Sequence, residues 1–180
     1  LNVAWALSKR QNTRVLAVDV DFHSSRLSEL LGIRGSPGLI DVLRTSCTLE
    51  EAVVRLEEYP ALYVLPAGET SDGPSDLLDS DNWEGVLKTL RRQFEYVVLD
   101  SPPAGVVADY DVVVRACDGV VLVLRPNHTP RELCRKVLAS LTGEKLLGVA
   151  LNDVPDWVLW RHRVYHSYYS ESDSMSRGTA

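Results

Sequence analysis

Cysteine is scarce in this chain. Cys47, Cys117 and Cys134 stand far apart, odd in number, with no C-x-x-C pair among them. That spacing offers no zinc site and leaves three thiols in or beside apolar stretches, expected to be small buried groups in a reducing compartment. Long apolar runs are missing too: Val120–Leu124 falls far short of the roughly 20 residues that cross a bilayer as a helix. Positive charge is in deficit. The net charge of −6 argues against broad nucleic-acid binding through a basic face. No secretory leader is visible, and the chain opens at Leu1 already inside a helical pattern, so it reads as a piece of a longer protein.

What is present is enough for a core: 180 residues, 45% of them hydrophobic, support one globular domain. Short β-rich runs occur at Arg14–Val18, Ala61–Leu65, Tyr96–Leu99, Gly119–Leu124 and Leu146–Leu151. Valine and leucine fill them with little polar alternation, as in strands buried on both faces. Helical patterns lie between. Thr48 and Glu51 form a capping box ahead of Leu49, Ala52, Val53 and Leu56 on one face. Thr129, Pro130 and Glu132 start a helix whose buried stripe is Leu133, Val137, Leu138 and Leu141. Trp83, Leu87, Leu90 and Phe94 repeat the spacing, and Ser36-Pro37-Gly38 turns into a short helix at Leu39–Arg44. Strands alternating with helices predict an α/β fold: a mostly parallel sheet, right-handed crossovers, helices on both faces.

In such a sheet, ligands bind beyond the carboxyl ends of the strands. The first run leads into Asp19-Val20-Asp21, and the third into Asp100-Ser101-Pro102-Pro103. Two aspartates therefore project from strand ends toward one rim, with Asp21 just beyond. Carboxylates gathered at about 4 Å repel by about 1 kcal/mol in water and about 4 kcal/mol near a protein surface. A divalent cation removes that cost, and Mg²⁺ favours one or two carboxylates plus waters and phosphate oxygens. The chemistry implied is phosphoryl transfer from a nucleotide. Taken singly, each Asp equally suits a loop start or a helix cap.

The stretch from Val15 to Leu27, with Asp19-Val20-Asp21-Phe22-His23-Ser24-Ser25-Arg26-Leu27 at its centre, resembles the second aspartate motif of bacterial tyrosine kinases, V-L-L-V-D-A-D-L-R-R-P-R-L. The match continues through Leu30-Leu31-Gly32, Pro37-Gly38-Leu39-Ile40-Asp41-Val42-Leu43, Leu65-Pro66-Ala67-Gly68, Pro74-Ser75-Asp76-Leu77-Leu78, Asp100-Ser101-Pro102-Pro103 and Gly148-Val149-Ala150-Leu151-Asn152. It covers nearly the whole chain in order. The resemblance implies a P-loop NTPase-like fold of the partitioning-ATPase class, with ATP and Mg²⁺ as cofactors. By it, Asp19 sits beside the metal and accepts the proton of an attacking tyrosine, Asp21 supports the metal and its waters, and Asp100 is the Walker B carboxylate. Asn152 matches an adenine contact, or is a turn former before Pro155. Arg26 matches the last arginine of the motif, or is a helix-surface charge. Two departures stand out. His23, Ser24 and Ser25 replace R-R-P, thinning positive charge beside the phosphates, and no G-x-x-x-x-G-K-[ST] loop occurs in these residues. The family places that loop and a first strand upstream of Leu1, and without them the chain is expected to bind ATP weakly or not at all.

Residues 1–154 are thus expected to form the nucleotide-binding domain and residues 155–180 a Tyr-rich tail. Tyr165, Tyr168 and Tyr169 resemble the C-terminal cluster that such kinases phosphorylate on a neighbouring subunit of a ring; Trp157, Trp160, Val164 and Tyr168 also fit a packed amphipathic helix. His162 and His166, four apart, lack a third ligand for a metal and read as solvated or stacking groups. The resemblance implies an ATP-dependent protein-tyrosine autokinase controlling exopolysaccharide or capsule synthesis and export. It would lie in the cytoplasm and be tied to the inner membrane through a fused or separate transmembrane chain-length-control partner. Two other functions fit the same residues: a partitioning or septum-positioning ATPase, and a non-catalytic assembly module.

Overall fold

The computed structural model describes residues 1–24, 26–33, 35–68, 77–78, 80–107, 109–141 and 144–154. The expected tail, with Tyr165, Tyr168 and Tyr169, lies outside them. The chain divides into two compact units, Leu1–Cys117 and Asp118–Ala180.

The first unit contains α1 (Asn2–Ser8), β1 (Val15–Asp19), α2 (Arg26–Leu30), α3 (Leu39–Leu43), α4 (Leu49–Ala52), β2 (Val54–Arg55), β3 (Leu62–Leu65), α5 (Asp81–Gln93), β4 (Tyr96–Asp100) and α6 (Asp109–Ala116). Its sheet runs β2-β3-β1-β4. β1 is central and pairs in parallel with both β3 and β4. Every residue of β1 is buried, which is why its sequence carries no polar alternation. Alternation survives in what each residue touches. Leu16 and Val18 join a core cluster with residues of α3, α5 and α6, whereas Val15 and Ala17 pack with Ala4 of α1 and Leu27 of α2. The sheet is therefore covered on both faces. β4, an edge strand among the described residues, is only half-buried.

Two local expectations change. The helix that opens at the Thr48 capping box forms its cap, with Thr48 N–H and Oγ1 both 2.8 Å from Glu51 Oε2. It ends at Ala52 rather than running to Leu56, because Val53 turns extended and Val54–Arg55 pairs antiparallel with β3. Two β-branched residues followed by a sheet edge outweigh the helical spacing. The three thiols are half-buried, not buried.

The second unit holds β5 (Val120–Leu124), α7 (Arg131–Ser140) and β6 (Leu146–Leu151), with β5 and β6 parallel. α7 starts after Pro130, and Thr129 Oγ1 accepts from the Arg125 N–H (2.9 Å) instead of capping the helix. Val137 and Leu141 are buried, but Leu138 is exposed, and so are Val121, Val123, Leu147, Val149 and Leu151. Burial on both faces does not hold for these two strands. Among the described residues of the unit, α7 is the one helix, and one helix cannot cover both sides of a sheet. No helix among the described residues is long and apolar enough to cross a membrane.

One close approach fixes the rim of the first unit. The N–H groups of Leu39 and Ile40, in the first turn of α3, donate to Pro66 O (2.8 Å) and Ala67 O (3.0 Å), just past the carboxyl end of β3. Gly38 N–H donates to Asp41 Oδ2 (2.8 Å). A Cβ at Gly38 would collide with backbone atoms of Pro66, Ala67 and Gly68, and backbone cannot step aside as a side chain can. We predict that Gly38→Ala costs about 2–3 kcal/mol of unfolding free energy. Gly85→Ala, in α5 with nothing within 4 Å of the new methyl, should gain up to about 1 kcal/mol. Urea titration of both variants checks the contrast.

Candidate functional site

Asp19 and Asp100 are register partners at the carboxyl ends of β1 and β4. Strand neighbours lie about 4.8 Å apart, and side chains two residues apart share a face. Val15 pairs with Tyr96 and Ala17 with Val98, and all four pack in the cluster on the α1–α2 face. The next step in the same alternation brings Asp19 and Asp100 to that face together. The expected convergence of these two carboxylates at one sheet edge is what the structure has.

Their environments differ. Asp19 is 1% exposed, whereas Asp100 lies at the exposed end of β4. Asp19 Oδ1 accepts the Asp21 N–H (3.2 Å), and Asp19 Oδ2 is buried with no hydrogen-bond partner among the described residues. Burial pushes the Asp19 carboxyl up to about 7; the nearby charges of Asp100 and Asp21 add to the rise, and the N–H groups of Asp21 and Leu27 oppose it.

Asp21 closes a turn: its Oδ1 accepts the N–H groups of His23 (3.2 Å) and Ser24 (3.1 Å). Arg26, exposed at the start of α2, donates Nε to Ser24 Oγ (3.2 Å). The Val20 N–H donates to Asp100 O (2.9 Å), continuing the ladder past the aspartates. Asn152 lies in the second unit, exposed just after β6, with its N–H on Leu124 O (2.8 Å). A contact missed in the sequence ties this turn down. His23 Nε2 lies 3.5 Å from Oδ2 of Asp109, a 4% exposed residue that opens α6. Nothing in the spacing of residues 86 apart announces such a pair; the only signal was an acidic residue at a helix start.

Among the described residues, no group of three His, Cys, Asp or Glu side chains is arranged to hold a metal by itself. The orphaned Asp19 Oδ2 nevertheless fits a proton or a cation, with Asp100 beside it. That is the sparse donor set Mg²⁺ uses when phosphate oxygens and waters complete its shell.

The raised carboxyl carries a stability consequence. Between its ordinary value near 3.8 and about 7, the folded chain holds a proton that the unfolded chain has lost. Stability therefore falls as pH rises through that window, and the deficit is complete above it. Asp19→Asn removes the charge, so it should raise the unfolding free energy at pH 8 by on the order of 1–3 kcal/mol, moving the thermal midpoint up, and change it little at pH 4. Melting curves across pH 4–8 test the sign.

No protein-family model matches the chain. The tyrosine-protein kinase CpsD of Streptococcus pneumoniae serotype 4 is 31% identical over 160 residues, which are 84% of this chain and 67% of that protein. Among solved structures, the VpsO kinase domain superposes with a TM-score of 0.78 at 32% identity, covering 86% of this chain and 76% of its own. The chimerical protein CapA2B2 gives 0.79 at 27% identity, covering 86% and 68%. A more distant likeness is to the septum site-determining protein MinD of Pyrococcus horikoshii, complexed with Mg-ADP: TM-score 0.64, 26% identity, 84% of this chain and 62% of that one. With a mostly parallel α/β sheet and an aspartate pair at its carboxyl edge, the chain belongs to the bacterial tyrosine-protein kinases of capsule and exopolysaccharide systems, whose fold is shared with MinD-type ATPases.

Proposed function

We propose that this chain is the ATP-using part of a protein-tyrosine autokinase, with Asp19, Asp21 and Asp100 as its acidic centre. The observation that carries the reading is the buried, unpartnered Oδ2 of Asp19 beside its strand neighbour Asp100. A base for tyrosine must hold a proton better than an ordinary carboxylate does, and burial shifts Asp19 in that direction. In the proposed step Asp19 Oδ2 takes the proton of a tyrosine hydroxyl. The phenolate oxygen forms a bond to the γ-phosphorus as the bond to the leaving ADP breaks. Mg²⁺, when bound, supplies neutralisation of charge on the transferring group. Asp100 and Asp21 would hold it. Arg26, held by Ser24 at the rim, would add positive charge beside the phosphates, and Asn152 would contact the adenine.

The acceptors in this reading are Tyr165, Tyr168 and Tyr169 of a neighbouring copy in a ring-like homo-oligomer. Each phosphate adds roughly −1.5 to −2 charges, enough to loosen a ring by repulsion. The likeness to the chimerical protein CapA2B2, whose name joins two components, supports a partner of CapA type. That partner would be a transmembrane chain-length-control protein holding the kinase at the inner cytoplasmic surface and coupling it to polysaccharide export. A second reading, a septum-positioning type of ATPase, is favoured by the likeness to MinD with Mg-ADP.

Labelling separates the two. The protein expressed from its natural reading frame and given γ-labelled ATP with Mg²⁺ should carry phosphate on Tyr165, Tyr168 or Tyr169. Asp19→Asn should lower that labelling by about 10²–10⁴-fold. Hydrolysis with no tyrosine label would favour the ATPase reading, and labelling untouched by Asp19→Asn would remove Asp19 from the chemistry.

A further inference from the structure

At the opposite end of the first unit's sheet, the amino ends of the strands surround a cleft of ≈ 440 Å³ lined by Arg10, Arg14, Arg55, Pro60, Tyr63 and Glu95 among others. Arg14 immediately precedes β1 and Glu95 precedes β4. At about 3.3 Å per residue the length of a five-residue strand, about 17 Å, separates this cleft from the Asp19–Asp100 rim. It is a different place from the proposed catalytic centre.

Each guanidinium there is already held in position. Arg10 lies over the Tyr96 ring (5.8 Å) and donates Nη1 to the Tyr96 hydroxyl (3.0 Å). Arg14 lies over Phe94 (5.7 Å). Arg55 lies over Tyr63 (6.0 Å) and donates Nε to Pro60 O (3.0 Å). An aromatic face under an arginine fixes its plane and leaves its edge available. A guanidinium carries five N–H donors, so one anchoring hydrogen bond at Arg10 or Arg55 leaves further donors on an arginine that lines the cleft. The ordering entropy that usually weakens an arginine contact is in part already spent.

Charge indicates the ligand. Glu95 is engaged by the Arg14 N–H through Oε2 (2.6 Å). That hydrogen bond first, and the Arg14 charge last, hold its carboxyl below the usual range. Among the residues that line the cleft, three guanidinium charges stand against one carboxylate, a local excess of two positive charges in a chain whose net charge is −6. A phosphate monoester carries roughly −1.5 to −2 at pH 7, and its oxygens match the arginine fork. A flat anionic membrane is a poorer fit, because Glu57 and Glu58 stand exposed on the loop between β2 and β3 that runs into the cleft wall at Pro60.

We propose that the Arg10–Arg14–Arg55 cleft is a binding site for a phosphate monoester group. The site does not depend on the kinase reading of the opposite rim. Titrating the 180-residue chain in Mg²⁺-free buffer with inorganic phosphate, and separately with O-phosphotyrosine and O-phosphoserine, should move the amide resonances of Thr13, Arg14 and Ala61 saturably. Arg14→Gln and Arg55→Gln should each weaken that binding about tenfold, with unchanged melting temperature. Arg55→Lys should lose most of the same affinity, since charge without the fork is not enough. Arg44→Gln, outside the cleft, should leave affinity unaltered.

Four results would overturn the assignment. They are no saturable shift, equal shifts with glutamate, shifts confined to Asp19–Ser24, and response only to phosphatidylglycerol vesicles. Equal shifts with glutamate would make it a carboxylate site, and a vesicle-only response a membrane contact.

Discussion

The parallel pairing of β1 with β4 is the constraint on which the rest of the first unit turns. It sets Val15 against Tyr96 and Ala17 against Val98 inside the core, and the same register then delivers Asp19 against Asp100 where the sheet ends. The apolar residues supply the free energy, at roughly 25 cal/mol per Å² of buried apolar surface. The two aspartates inherit their position from it. A one-residue slip would send Asp19 to the other face of the sheet, so core packing and the acidic centre cannot be separated. Burial of Asp19 is unfavourable for the fold and useful for chemistry, which is where strained electrostatics are expected to collect.

Around that pair, separate contacts fix the rim. Pro66 and Ala67 leave the end of β3 and accept the first N–H groups of α3. Asp21 closes its own turn, and His23 reaches Asp109 at the start of α6. Loops at the carboxyl end of the sheet are thereby held by hydrogen bonds and the His23–Asp109 contact, together with the packing of Val20, Phe22 and Ala67 into the core. Such loops bear function on a rigid frame. The amino end of the sheet is built differently, with arginines laid over aromatic rings. Arginines gather at one end and aspartates at the other, a division that neither composition nor net charge reveals.

Much of this was legible in the sequence because it rests on local pattern. The cores of the five strands were readable, since valine-rich runs bounded by turns have few other fates. The Asp19–Asp100 rim followed from the rule that strand ends bear the ligands, and family likeness agreed. Non-local competition was not legible. The pattern from Leu49 to Leu56 had helical spacing, but Val54 and Arg55 found a strand partner in β3. The shallow burial of β5 and β6 was equally hidden, because valine runs look the same whether one face or two is covered. The His23–Asp109 contact and the arginine cleft join residues tens of positions apart, and no period in the sequence encodes them. Tyr165, Tyr168 and Tyr169 lie outside the described residues.

The central claim is electrostatic: the buried carboxyl of Asp19 feels the charge of its exposed strand neighbour Asp100. Carboxyl-carbon NMR of selectively labelled aspartate, followed across pH 3–9, tests it directly. The account gives Asp19 a titration midpoint of about 7 that moves down when Asp100 is replaced by Asn, because a neighbouring negative charge is removed. A midpoint near the ordinary carboxylate value, unmoved by that replacement, would contradict it.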